Sequence, residues 1–276
     1  MNPMRTTPAL LVPFLLASSC TLFTSLDGLA GAPEDGGIDG ALEASVEAST
    51  ADSTADSRPD ANGCAAEGLV AAWSFDEGRG AVVRDCSGNE LDGVFTGTAA
   101  SLGWGKRDGG GCLEIDGAGG RVTMGTPKAL QLTDTFTVAA WYRNEAGTNG
   151  FLNVAGNLGA GGFEIALNNL GVLQLQVVFS NGAVRSVPFP ALAASVWKHV
   201  TAVFERGVRI ELYVDGVSVV RITPAQQLSE LGLAPATTEF TVGVSSEAAT
   251  WAGGIDDIRI YARALPDADI RALATK

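Results

Sequence analysis

From Leu69 onward the chain alternates apolar and polar residues in short runs, and the runs end at Gly, Asn and Asp. A period of two is the mark of a strand with one buried face. Leu69–Phe75 is the first such run. Leu113–Gly117 and Val122–Met124 flank a glycine-rich turn. Phe136–Tyr142 alternates cleanly, and Phe163–Leu167 ends at Asn168-Asn169. Val172–Phe179 runs into Ser180-Asn181-Gly182, a strong hairpin signal. Trp197–Phe204 and Arg209–Val214 follow, and Asp215-Gly216 turns the chain into Val217–Val220. Phe240–Gly243 and Ile255–Tyr261 close the series. Helical signal is confined mainly to the stretch after Pro266, where Ile270 and Leu273 share a face. With about ten strands, tight antiparallel turns and no βαβ rhythm, the pattern predicts an all-β, two-sheet antiparallel sandwich. Each sheet must bury its apolar face against the other.

The N-terminal quarter reads differently. Arg5 precedes an apolar run from Ala9 to Ala17, which is short for a membrane-spanning helix and suits an export signal over residues 1–19. Leu16-Ala17-Ser18-Ser19-Cys20 resembles a bacterial lipobox, with Ala17 where that pattern prefers Leu. On that resemblance Cys20 is the lipidation site, and the alternative is a plain secretory cleavage near it. Residues 20–62 are rich in Gly, Ala, Ser, Thr and Pro, carry nine acidic residues, and have no aromatic past Phe23. Such a segment cannot bury enough apolar area to repay ordering. We expect a flexible acidic linker at 20–62, a folded domain at 63–276, and an exported chain that meets a membrane only through a lipid anchor.

The net charge of −13 argues against a nucleic-acid partner, which needs clustered Lys and Arg. A single histidine, His199, excludes sites built from several histidines. A triad would need it aimed at a serine across the sheet, and nothing local selects one. Cys64, Cys86 and Cys112 fall in the domain, and no Cys-x-x-Cys spacing points to zinc or redox chemistry.

Four landmarks occur in order along the domain. They are Trp73-Ser-Phe75-Asp76-Glu77-Gly78 with Asp85-Cys86-Ser87-Gly88-Asn89 and Asp92-Gly93; Gly111–Gly117; Trp197–Val200 with Leu212–Gly216; and Gly254–Tyr261 with Arg263-Ala264-Leu265. Together they resemble the LamG-like jelly-roll family of the concanavalin A-like lectin/glucanase superfamily, from about Gly68 to Leu273. The resemblance implies a jelly-roll sandwich. It says little of function, because such sandwiches host lectins, adhesion modules and hydrolases. It also implies a structural calcium where early loops meet the last strand, at Asp76, Asp85, Asp116 and Asp256.

Asp256 shares a strand parity with Ile258 and Ile260, which places it on the core face. A carboxylate there is either metal-bound or accepts hydrogen bonds that pin a loop. If the aspartates converge, Cys86 and Cys112 come close enough to pair. The rival pairing, Cys64–Cys86, staples the leading end of the domain to its first loop. Glu114 and Asp116 share a strand face like part of a glycosidase pair, but the third acid of laminarinase-like enzymes is missing. Trp73 and Trp141 read as core. Trp104 and Trp251 lie in glycine-bearing segments and are candidate sugar platforms.

The leading expectation is a non-enzymatic exported module that binds a glycan or an envelope protein. Its binding surface is either one concave sheet face or the loops Asn144–Gly150 and Ser245–Gly253. The alternatives are a structural envelope protein with no small ligand, and a polysaccharide hydrolase or lyase using Glu114 and Asp116.

Overall fold

The structure is a computed structural model that describes residues 64–97, 102–108, 110–116, 119–145, 152–168, 170–223, 232–244 and 252–275. The signal, Cys20 and the linker lie outside the described residues. The strands in chain order are β1 (Leu69–Trp73), β2 (Val82–Val83), β3 (Gly93–Thr96), β4 (Leu102–Arg107), β5 (Gly110–Asp116) and β6 (Arg121–Thr123). Then come β7 (Thr135–Asn144), β8 (Leu152–Gly156), β9 (Phe163–Leu167), β10 (Leu173–Val178) and β11 (Val184–Pro188). The last are β12 (Lys198–Glu205), β13 (Arg209–Val214), β14 (Val217–Ile222), β15 (Thr241–Val244) and β16 (Ala252–Tyr261), followed by helix α1 (Asp267–Leu273).

These strands form two antiparallel eight-stranded sheets. The first runs β14-β13-β12-β7-β16-β5-β4, with β1 also paired to β16. The second runs β11-β10-β9-β8-β15-β6-β3-β2. The all-β two-sheet sandwich is as the alternation requires. The core lies between the sheets, where Phe136 stacks on Phe163 with ring centroids 4.2 Å apart and on Phe204 at 5.4 Å. Trp73 and Phe240 close it, their centroids 5.7 Å apart.

A smaller apolar cluster of Val203, Tyr213, Tyr261, Leu265 and Ile270 seats α1 on the outside of the first sheet. Tyr213 donates to Asp267 at 2.9 Å and ties down the start of that helix. Thr137, fully buried, donates to the Arg263 carbonyl and accepts from Leu265 N–H, fixing the chain that leads into it.

Strand β4 is one the alternation did not single out. Gly103 and Gly105 leave it few side chains to betray its period. A Cβ on Gly105 would sit 2.3 Å from Glu114 Cγ and 2.8 Å from Cys112 Sγ, so the β4–β5 pairing needs glycine there. A second difference is at β16. Asp256 pairs with Trp141 and Arg259 with Ala139, so a bulge falls between them, with Asp257 at φ 42°. A bulge inserts one residue and shifts the parity. Asp256 therefore leaves the core face that Ile258 and Ile260 occupy and looks out from the first sheet. Trp141 also faces outward rather than into the core, because on β7 it has the opposite parity to the core residues Phe136, Val138, Ala140 and Tyr142.

Candidate functional site

The calcium site expected at Asp76, Asp85, Asp116 and Asp256 is not formed, and each carboxylate has a different local occupation. Asp85 is fully buried and accepts from Ala72 N–H, Ser87 N–H, Ser87 Oγ and Leu91 N–H at 2.8–3.1 Å. Asp76 is exposed and accepts from Gly111 N–H at 2.6 Å. Asp116 is exposed at the end of β5. Asp256 accepts from Arg107 Nε at 2.6 Å and from Asp257 N–H. Burial pushes its carboxyl up to about 6, even against the adjacent guanidinium. Among the described residues no group of three or more His, Cys, Asp or Glu is placed to hold a metal ion. The calcium and metal-binding expectation is therefore corrected: two buried carboxylates are occupied by backbone N–H groups and by arginine.

The disulfide expectation is corrected as well. Cys64 bonds to Cys86, with Cα atoms 5.6 Å apart, and Cys112 is a free, buried thiol. Because the aspartates do not converge, nothing draws Cys86 toward Cys112. Burial first, then the charge of Glu114, pushes the Cys112 thiol up to about 12, so it is inert. The membrane expectation is not met by a spanning helix: among the described residues no helix is long and apolar enough to cross a membrane.

Away from α1, part of the outer face of the first sheet carries stacked arginines. Arg107 lies over Trp141 with its guanidinium carbon 4.4 Å from the ring centroid, and Arg143 lies over Trp197 at 5.0 Å. Arg143 donates to both Glu114 oxygens at 2.9 Å. Glu114 is thus held in a charge pair, and Asp116 stands exposed beyond it. Burial pushes His199 down to about 4, so it is neutral against the edge of Trp141. Trp104 stacks on Phe95 at 5.3 Å and donates to the Gly80 carbonyl, partly closing the open side of the sandwich. A small hollow of about 240 Å³ beside it is lined by Phe95, Leu102 and Ala81. Trp251 and most of the two candidate loops lie outside the described residues.

The second sheet presents a different outer face. Two rows of outward residues run across its strands. Thr123, Thr241, Gly156, Glu164, Gln176 and Ser186 are successive partners from β6 to β11. Arg121, Gly243, Asn153, Ala166 and Gln174 form the next row, from β6 to β10. At about 4.8 Å between strands, the first row is roughly 24 Å long. Where the rows pass the glycines, a groove of about 420 Å³ opens, lined by Arg121, Asn153, Glu164, Thr238, Glu239 and Thr241 among others. That volume lies within the range of small-molecule sites. Gly156 is required at its floor, since a Cβ there would lie 2.4 Å from Glu164 Cα.

The polar groups of this groove are incompletely matched. Asn153 is 4% exposed. Its Nδ2 donates to the Gly156 carbonyl at 3.1 Å and to Thr241 Oγ1 at 3.0 Å, but its Oδ1 has no partner among the described residues. Arg121 Nε is also buried without a partner among the described residues. Glu164 has no bonding partner for its carboxyl among the described residues, and burial alone pushes it up to about 7. Buried polar atoms are nearly always paired, so such a cluster is informative. Sequence reading missed it because Glu164, between Phe163 and Ile165, looks like any solvent-facing strand position. The available signal was the outward polar row itself, which requires the strand order to be known.

Residues 116–271 match the laminin G model described as the Concanavalin A-like lectin/glucanases superfamily. The chain belongs to this family. Among solved structures, the binding domain of Paraclostridial Mosquitocidal Protein 1 is similar at 14% identity and a TM-score of 0.62, covering 75% of this chain and 52% of that chain. The binding domain of botulinum neurotoxin DC, in complex with rat synaptotagmin II, is similar at 15% identity and a TM-score of 0.60, covering 75% and 51%. The botulinum neurotoxin serotype D ligand-binding domain, in complex with N-acetylneuraminic acid, is similar at 12% identity and a TM-score of 0.60, covering 75% and 50%. At these identities the likeness is one of fold, and the chain spans about half the length of each. No curated protein matches it.

Proposed function

We propose that this domain is a non-enzymatic binding module, and that the groove on the outer face of the second sheet receives a carbohydrate. The observation that carries this reading is the pair of unmet atoms, Asn153 Oδ1 and Arg121 Nε, in one concave site. Both atoms are buried just behind the groove wall, and a small side-chain shift that opened them to it would suit a ligand that both donates and accepts hydrogen bonds. The solved structures of similar fold lend support, one in complex with N-acetylneuraminic acid and another with synaptotagmin II. Glu114, neutralised by Arg143, is ill suited to act as a nucleophile or acid.

The test is a glycan array probed with the full chain and with the Asn153→Ala and Arg121→Ala variants. Retention of specific glycans by the wild type, lost in both variants with folding intact, is expected. Retention unchanged in both variants would move the site away from the groove.

We further propose that the chain is an exported lipoprotein acylated at Cys20, on the resemblance of Leu16–Cys20 to a lipobox. Incorporation of labelled palmitate, abolished by Cys20→Ser, tests it. Incorporation that persists in the variant, or none in the wild type, would sink it.

A further inference from the structure

The chemistry of the groove narrows its ligand. Among the described residues, Asn153 Oδ1 is an acceptor without a donor, and Arg121 Nε is a donor without an acceptor. Their strands are joined through β15, where Gly243 is the residue between them and carries no side chain. A carboxylate ligand would satisfy Arg121 and leave Asn153 Oδ1 facing another oxygen. An ammonium would satisfy Asn153 and oppose Arg121. A hydroxyl both donates and accepts, so a run of hydroxyls meets both needs.

The third group is Glu164. The strands packed beside it present neutral groups on this face, Asn153 from β8 and Gln174 and Gln176 from β10. The charged groups lining the groove with it are Arg121 on β6 and Glu239 ahead of β15. Glu239 accepts from Thr123 Oγ1 at 3.1 Å. Among the described residues no guanidinium or ammonium pairs with the Glu164 carboxyl, so burial favours its neutral form, which carries an O–H.

Resting on the glycan reading above, we infer that the groove selects a neutral polyhydroxylated chain over an acidic one, and that the protonated carboxyl of Glu164 donates to a ligand oxygen, so that the ligand is released as the pH rises. When Glu164 is charged it loses its donor and faces ligand hydroxyls as a desolvated anion. The value of about 7 places the transition in an accessible range. If only the protonated form binds, raising the pH to 8.5 leaves about one molecule in 30 competent and weakens apparent affinity roughly 30-fold relative to pH 5.5.

The experiment is calorimetric titration of the full chain at pH 5.5 and 8.5. The probes are neutral laminarin, xylan and dextran oligosaccharides, with polygalacturonate oligomers and sialyllactose as acidic counterparts. The variants are Glu164→Gln, which keeps a donor at every pH, and Arg121→Ala. We expect binding of a neutral oligosaccharide that weakens at least tenfold at pH 8.5 in the wild type, stays tight at both pH values in Glu164→Gln, and fails in Arg121→Ala. Neutral glycan binding that is independent of pH and unchanged in Glu164→Gln would overturn the inference. If Arg121→Ala still abolished it, the groove would stand as the glycan site. Tighter binding of an acidic probe would overturn the selectivity while also leaving the groove reading intact. Failure of every glycan at both pH values, by folded protein, would remove both.

Discussion

Replacing Asp85 tests most directly how the early loops are held. Its Oδ1 accepts from Ala72 N–H and Ser87 N–H, and its Oδ2 accepts from Ser87 Oγ and Leu91 N–H. In Asp85→Ala three backbone donors lose their acceptor. Ala72 is 1% exposed, within β1, so its N–H has no route to water and the full penalty applies. Ser87 and Leu91 are partly exposed and recover some solvation, and the Ser87 hydroxyl retains the Val70 carbonyl at 3.1 Å. At about 1–3 kcal/mol per buried unsatisfied donor, the sum is about 3–5 kcal/mol. For a domain of this size that lowers the melting midpoint by about 6–20 °C.

Asp85→Asn keeps one oxygen but turns an amide N–H₂ toward either the Ala72 or the Leu91 N–H, for a loss of about 1–3 kcal/mol. Differential scanning calorimetry of the full chain and both variants measures this. Neither added calcium nor chelation is expected to move the wild-type midpoint, because the carboxylate is occupied by N–H groups. A wild-type stability in Asp85→Asn, a loss below about 1 kcal/mol in Asp85→Ala, or a calcium-dependent midpoint would refute the reasoning.

Other consequences follow from buried groups. Glu164 is raised from 4.5 to about 7 on folding, so the folded state binds its proton more tightly and stability falls as the pH rises from 4.5 through 7. The penalty at pH 8 is up to about 3 kcal/mol. Urea titration of Glu164→Gln should therefore show a gain over wild type at pH 8 and none at pH 4; equal stability at pH 8 would contradict it. His199 is lowered from 6.5 to about 4, so stability falls as the pH drops through that window, and His199→Gln should flatten the slope by up to about 3 kcal/mol. Opening the Cys64–Cys86 bond, which closes a separation of 22 residues, should cost about 3 kcal/mol on chain-entropy grounds, read as the urea midpoint of Cys64→Ala. In the folded chain Cys112 should resist iodoacetamide and label only on unfolding, as peptide mapping would show; rapid native labelling would contradict its burial.

Much of the sandwich was legible because alternation reports burial directly. The runs at Phe136–Tyr142, Phe163–Leu167 and Arg209–Val214 each became strands, with Phe136, Phe163 and Ile210 turned to the core. The turn at Asp215-Gly216 read correctly because its chemistry is local: Asp215 has φ 50° and Gly216 φ 76°. Strands such as β4, β8 and β11 did not stand out, since glycine, asparagine and proline dilute the period there.

The site was less legible. The sequence by itself determined that Asp85 and Asp256 would be carboxylates in demanding surroundings, because they sit among apolar runs and tight turns. Only the tertiary structure decided what each one meets. A single bulge at Asp257 changed the face on which Asp256 lies, and no local pattern distinguishes a bulged strand from a regular one. Likewise Arg121, Asn153 and Glu164 are ordinary strand polars along the chain, and they share one groove because β15, far along the sequence, is inserted between β6 and β8. Local physics selects strands and turns, whereas the order in which strands pair is a global choice, and it is that choice which assembles a site.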